Sequence, residues 1–362
     1  MCSMNLATNQ LNDLLWIDTN QDQSCFVVGT ETGYRIYQTD PLQLLHSRDF
    51  QGAGGVGIAT MLFRSNVIAL VGGGQNPRYP PTKVILWDDK ESKAIAELTF
   101  RTNIKSVKLR RDLIVVSLES RVYVYRFSDL ELIDTLETCG SVLAVSSDPD
   151  NSVVACSGNV KGRINIVFYN PALGGPSGTR ADVTTTSVSP ARTKITNITA
   201  HESSLAVVSL SGDGSKVATA SVKGTLIRVF DTQNGSKLFE LRRGAERVDI
   251  YSISFSRQNE WLAVSSDKGT IHVFPIRSSS TNRNTSLMTK ILLPSYFQSQ
   301  WSFAQFRVPD YRSMCAFGAD PFTVVCLCAD GSYYKAKFDP ILGGEMRRVK
   351  YEKFSDIPST RA

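Results

Sequence analysis

The stretch LFELRRGAERVDIYSISF sets two guanidinium groups side by side, Arg242 and Arg243, followed by Gly244 and framed by apolar, strand-like residues. Adjacent cations repel and cannot enter one core together. Successive side chains on an extended segment point to opposite faces, so the pair can instead serve two anions, one on each side. The neighbouring sequence suits that chemistry. Upstream, in ATASVKGTLIRVF, Thr219 and Ser221 share a strand face and are followed by Lys223, Gly224, Thr225 and Arg228. Downstream, in VSSDKGTIHVF, Ser266 precedes a turn, and Thr270 and His272 share a face. Hydroxyls, backbone N–H groups at a glycine turn and one strong cation make a cradle for phosphate. Turns of this kind also serve as plain structural turns, so the residues alone leave both readings open. A second pair, Arg110–Arg111 in KLRRDLIVV, is followed by Asp112 and has no such cluster around it. It reads as solvated rim.

Other chemistry is thinly represented. The run GAGGVG (residues 52–57) matches the dinucleotide-binding spacing, but the residues after it are strand-like and no acid stands about 20 residues on. It reads as a flexible turn. There is no phosphate-binding Walker loop, no G-x-S-x-G elbow and no H-E-x-x-H. The three histidines, His46, His201 and His272, show no spacing that favours a catalytic triad. No catalytic residue, metal site or cofactor is expected.

The elements that must position these residues repeat. A β-branched strand, a turn, a small-residue strand, a glycine turn and a strand ending in an aromatic recur along the chain. The copies are SCFVVGTETGYRIYQTD, VIALVGGGQNPRYPPTKVILWDD, LIVVSLESRVYVYRF, SVVACSGNVKGRINIVFYN, KVATASVKGTLIRVFDT, WLAVSSDKGTIHVFPI and CLCADGSYYKAKFDP. Strand-rich units of about 40–45 residues with aromatic-Asp ends such as Trp87–Asp88 and Phe230–Asp231 mark a WD-type β-propeller. The expected fold is all-β, one seven-bladed propeller over residues 1–344, with 345–362 as a C-terminal tail. The intervals Gly162 to Gly224 and Gly269 to Gly331 are longer than one unit, placing loop insertions near 171–200 and 277–300.

Composition sets the class. Hydrophobic residues make up 42% and charged residues 20%, ordinary values for a soluble globular protein. A net charge of +6 favours an anionic partner without pointing to nucleic acid. The seven cysteines include no CxxC and read mostly as buried thiols of a cytoplasmic chain. The start MCSMNLATNQLNDLL lacks the pattern of a signal peptide. No apolar run approaches the roughly 20 residues of a membrane span, so membrane contact is expected to be peripheral.

Between two such repeats, LRRG resembles the signature of the PROPPIN family, the phosphoinositide-interacting WD-repeat propellers. The segments NPRYPPTKVILWDD, SVKLRRD, ATASVKGTLIRVFDT, SSDKGTIHVF, QSQWSF and CADGSYYK are similar to that family as well. Leu in place of the alternative Phe before the arginines resembles the branch of the mammalian third and fourth paralogues. The resemblance implies a monomeric propeller that binds phosphatidylinositol 3-phosphate and 3,5-bisphosphate at two rim sites during autophagosome formation. It implies peripheral association with preautophagosomal and endolysosomal membranes. The first site would use His201, Thr219, Ser221, Lys223, Thr225 and Arg242. The second would use Arg243, Ser266, Thr270 and His272, with Gly244 permitting the turn.

The insertion near 277–300 lacks acids. Arg277, Arg283 and Lys290 accompany Leu287, Met288, Ile291, Leu292 and Leu293, a composition suited to an anionic membrane interface. The same residues suit a plain outer strand with a disordered flank, and the family resemblance favours membrane contact. NQDQSCF resembles a partner-binding edge in which Asn20 and Asp22 would contact the large autophagy lipid-transfer protein. A polar turn before a strand accounts for it equally well. The alternatives to a lipid effector are a generic scaffold propeller and a hydrolase hidden in the propeller.

Overall fold

Leu113–Ser117 (LIVVS) is buried at every position, between Ser106–Leu109 and Arg121–Arg126. A β-branched run of this kind suits a strand covered on both faces, and every repeat supplies one. The structure, a computed structural model, describes residues 3–7, 12–170, 191–277, 300–309 and 311–357. They form seven sheets in chain order, the blades of a β-propeller, spanning residues 14–49, 56–99, 106–137, 143–199, 205–242, 250–307 and 313–353. Each blade is antiparallel from its innermost strand outward. Blade five gains a parallel edge, Gln300–Trp301 against Lys237–Arg242, and blade six gains Gly344–Glu345 against Ala304–Arg307. Among the described residues helix is confined to one 3-10 turn, Phe354–Asp356.

Inner strands of three blades share a buried ion pair. Lys108 of blade three reaches both carboxylate oxygens of Asp18 in blade one, each at 3.0 Å. Thr60 of blade two donates to the same carboxylate at 3.1 Å. Both charged side chains are only 1% exposed. Burial pushes the Asp18 pKa up, against the opposing pull of Lys108.

Residues 345–357, expected to begin a tail, belong to the propeller, and 358–362 lie outside the described residues. Arg347–Lys353 is the outer strand of blade seven, paired with Ser332–Lys337, and Phe354 is fully buried. Phe354 packs on Phe26 and Tyr37 of blade one, and the Tyr37 hydroxyl donates to its carbonyl at 3.0 Å. The Tyr333 hydroxyl donates to the Thr39 carbonyl, and Lys335 pairs with Asp40 at 2.7 Å. The ring closes through these side chains, while Ser3–Asn5 adds a strand inside blade one. The insertion in blade four is also shorter than expected. Arg192–Thr199 is that blade's outer strand, and residues 171–190 lie outside the described residues.

Two further expectations are corrected, the second in part. Arg110 is buried rather than solvated, because it ties blade three to blade four. Its guanidinium donates to the Ser146 carbonyl, the Ser146 hydroxyl and the Asp148 carbonyl, and its Nε to Asp112. Only Arg111 is exposed, lying over the Phe63 ring at 4.7 Å. The GAGGVG run begins as the expected exposed turn between blades, with open space around Gly52, and ends in close backbone contacts at Gly54, Gly55 and Gly57. Gly57 lies in the innermost strand of blade two, and a Cβ there would come 2.8 Å from the Gly73 Cα. Cys25, Cys156, Cys315, Cys326 and Cys328 are buried, Cys139 is exposed and Cys2 lies outside the described residues.

Candidate anion-binding rim sites

Lys237–Arg242 is the outer strand of blade five, and Arg242 is its last residue. Residues 243–249 then cross to the innermost strand of blade six. This crossing is strapped onto the blade-five turn: Arg243 N donates to the Thr225 carbonyl at 3.2 Å and Val248 N to the Lys223 carbonyl at 3.3 Å. The strap explains Gly224, which has φ +66° and sits where a Cβ would come 1.9 Å from the Val248 carbonyl oxygen. Gly244 differs. Its φ lies outside the left-handed region and a Cβ there would meet open space, so the turn itself does not require glycine. Gly224→Ala is therefore expected to cost roughly 1–3 kcal/mol of stability, and Gly244→Ala close to nothing, in paired urea unfolding curves.

The first constellation opens as a cleft of about 240 Å³ lined by His201, Ser221, Lys223, Thr225 and Arg228, with Glu202 at its edge. Thr219 stands behind it, fully buried, its hydroxyl 3.0 Å from His201 Nε2. Arg228 is braced on both sides, donating to the Ala200 carbonyl at 2.7 Å and to Glu240 at 2.9 Å. Burial works against the Glu240 carboxylate, but Lys237 and Arg228 outweigh it and hold its pKa below the usual range. Lys223 lies 3.7 Å from Glu202, both largely exposed, a contact worth little that leaves the ammonium available to an anion. Arg242 does not line this cleft. Its backbone pairs with Leu226 at the cleft edge on one side and with Trp301 on the other.

The second constellation lies across the arginine pair, against the blade-six turn. Burial lowers the Arg243 pKa against the opposing pull of Asp267 and Glu246, and Arg243 Nη2 donates to the Glu246 carbonyl at 2.7 Å. Arg243 Nε, Ser266 Oγ, Asp267 Oδ1 and His272 Nδ1 are all buried without a hydrogen-bond partner. Leaving such groups unsatisfied costs about 1–3 kcal/mol each. An oxyanion reaching this turn would satisfy the arginine, serine and histidine, whereas Asp267 would oppose it. Thr270 begins the strand that carries His272.

Burial and a neighbouring guanidinium, Arg228 for His201 and Arg243 for His272, lower both histidine pKa values to about 4. Both imidazoles are neutral at pH 7. The unfolded chain takes up protons below about pH 6.5 and the folded chain does not, so stability is full above that value and falls towards pH 4. A bound phosphate acts in the opposite direction and favours the imidazolium. Phosphate binding beside these two histidines would therefore take up protons and tighten from pH 7.5 to 5.5. Calorimetry in buffers of different ionisation heat reads that uptake, and a His201→Asn/His272→Asn variant should abolish it.

The strand order brings together what the two KGT stretches suggested, but it also adds carboxylates. Glu240 could be found only by pairing the strands, since it is set directly opposite Arg228. Of the insertion residues, Arg277 is described: it pairs with Glu260 at 3.4 Å and lies over Trp261. Arg283, Leu287, Met288, Lys290, Ile291, Leu292 and Leu293 lie outside the described residues. Asn20 is corrected. It is fully buried, its amide donating to Ser24 and the Phe63 carbonyl and accepting from Cys25 N, so it offers no side chain to a partner. Asp22 remains exposed.

A family model described as PROPPIN matches residues 14–291. The chain belongs to the PROPPIN family. This PROPPIN is similar to autophagy-related protein 18e of Arabidopsis thaliana, 36% identical over 96% of this chain and 89% of that protein. Among solved structures, Kluyveromyces lactis Hsv2 with its complete loop 6CD superimposes with a TM-score of 0.74 at 26% identity, covering 93% of this chain and 98% of that one. KlAtg21, solved in complex with the coiled coil of AgAtg16, gives a TM-score of 0.73 at 25% identity, covering 93% and 98%.

Proposed function

We propose that this PROPPIN is a non-enzymatic phosphoinositide effector that reads phosphatidylinositol 3-phosphate and 3,5-bisphosphate at two rim sites. The observation that carries the reading is the pairing of two hydroxyl, cation and histidine constellations on either side of Arg242–Arg243, one of them holding buried donors without partners. One pocket gives marginal, reversible membrane binding. Two on one rigid body bind together, because the second engagement is effectively intramolecular. The names of the similar proteins support a place in autophagosome formation, with peripheral recruitment from the cytoplasm to preautophagosomal and endolysosomal membranes. Exposed Asp22 would serve the partner surface towards a lipid-transfer protein, and the coiled coil bound to KlAtg21 shows that a similar propeller engages a protein partner.

The test is co-flotation with vesicles containing phosphatidylinositol 3-phosphate, against phosphatidylinositol alone, with the lipids analysed afterwards. Specific flotation with unchanged lipid is expected. Equal binding to both vesicles would leave a scaffold propeller, and a dephosphorylated product would make the protein a hydrolase.

A further inference from the structure

Ile341 and Leu342 are 84% and 82% exposed, whereas no other exposed large hydrophobic side chain among the described residues exceeds 52%. They form the tip of the turn between the last two strands of blade seven. The turn is held firmly. Asp339 Oδ1 accepts from Ile341 N at 2.8 Å and Leu342 N at 2.9 Å, and Gly343 N donates to the Asp339 carbonyl at 3.1 Å. Gly344 N donates to the Phe303 carbonyl, which locks the turn onto blade six. Below it, Trp261 packs against both Phe303 and Phe338. Two neighbouring aliphatic side chains held in water by so many hydrogen bonds contribute nothing to the core.

Their position supplies the occupant. Trp301, 52% exposed, is in register with Arg242 on the rim of blade five, and two residues later Phe303 carries the turn. The exposed apolar side chains thus continue the rim from the arginine pair towards blade seven, where Arg347 and Arg348 are also exposed. Tryptophan beside basic residues suits the membrane–water interface, and the aliphatic tip suits the layer below it. We propose that Ile341 and Leu342 form a fixed hydrophobic wedge that enters the bilayer beside the headgroup sites, with Trp301 at the interface. The inference rests on the phosphoinositide-effector reading, and its test separates the two.

Ile341→Ser/Leu342→Ser should leave calorimetric binding of soluble inositol 1,3-bisphosphate unchanged while weakening partition onto phosphatidylinositol 3-phosphate vesicles roughly a hundredfold. A Leu342→Cys variant in a Cys2→Ser/Cys139→Ser background, labelled with an environment-sensitive dye, should shift to the blue on those vesicles and be quenched by brominated acyl chains. A dye that stays in water on bound protein overturns the wedge, reassigns the pair to a protein partner and leaves the effector reading intact. Failure of the unsubstituted protein to bind such vesicles at all overturns both.

Discussion

Arg242→Ala/Arg243→Ala is expected to leave the propeller folded and to remove the proposed specific partition onto phosphatidylinositol 3-phosphate vesicles. The fold survives because neither guanidinium belongs to a core. Arg242 ends an outer strand, and Arg243 bonds the Glu246 carbonyl on its own strap. Binding is lost because a charge-assisted hydrogen bond to phosphate is worth about 1.5–3 kcal/mol, one to two orders of magnitude in each pocket. The pockets act together, so the double change should exceed a hundredfold. The single variants decide the assignment. Arg243→Ala should silence the blade-six constellation, where four buried polar groups lack partners. Arg242→Ala tests whether Arg242, whose backbone pairs with Leu226 of the blade-five cleft but whose side chain does not line it, turns into that cleft to meet a headgroup. Each single variant should fall close to the double one in vesicle sedimentation, since one pocket binds only marginally. If Arg242→Ala partitions like the unsubstituted protein, the blade-five cleft is not a headgroup site. Arg→Lys at both positions keeps the charge and loses the planar fork, and should recover part of the binding.

The sequence made the seven repeats legible because the second strand of each blade's four-strand repeat is buried on both faces almost throughout and most of these strands are rich in β-branched residues. The outer strands were harder to read. Arg347–Lys353 alternates charge with isolated apolar residues and is largely exposed, which is how a solvated tail also looks. Arg110 and Arg242 each open an Arg-Arg pair preceded by Leu. What separates them is the Ser146 and Asp148 carbonyls that blade four presents to Arg110, a tertiary fact no spacing encodes. The candidate site was legible wherever a KGT turn marked it. The strap from Arg243 to Val248, the carboxylates Glu240 and Asp267 and the burial of Asn20 all depend on which backbone lies opposite which. Gly224 and Gly244 show the same limit, alike as letters and different in need: one is crossed by the strap's Val248 carbonyl and the other faces open space.

Lys108→Met is expected to cost about 3–5 kcal/mol of stability at pH 7, the penalty of leaving one partner of a buried pair uncompensated. Asp18 then has two courses, to keep a buried charge or to take up a proton. Burial already raises its pKa with Lys108 in place, so removing the lysine raises it further and the carboxyl becomes neutral in the fold. The folded variant then binds a proton that the unfolded chain releases above its ordinary pKa of 3.8. Its stability should therefore decline as pH rises from 4 to 7 and recover in acid, relative to the unsubstituted protein. A second variant, Asp18→Leu/Lys108→Met, removes both charges and should regain most of the loss, because Thr60 keeps its other bond, to the Val107 carbonyl at 3.1 Å. Urea unfolding at pH 4, 5.5 and 7 distinguishes the cases. A Lys108→Met variant equally destabilised at every pH would mean that lost packing, not the orphaned carboxylate, sets the cost. If the double variant is no more stable than the single one, these inner strands need the ion pair itself to hold blades one to three in register.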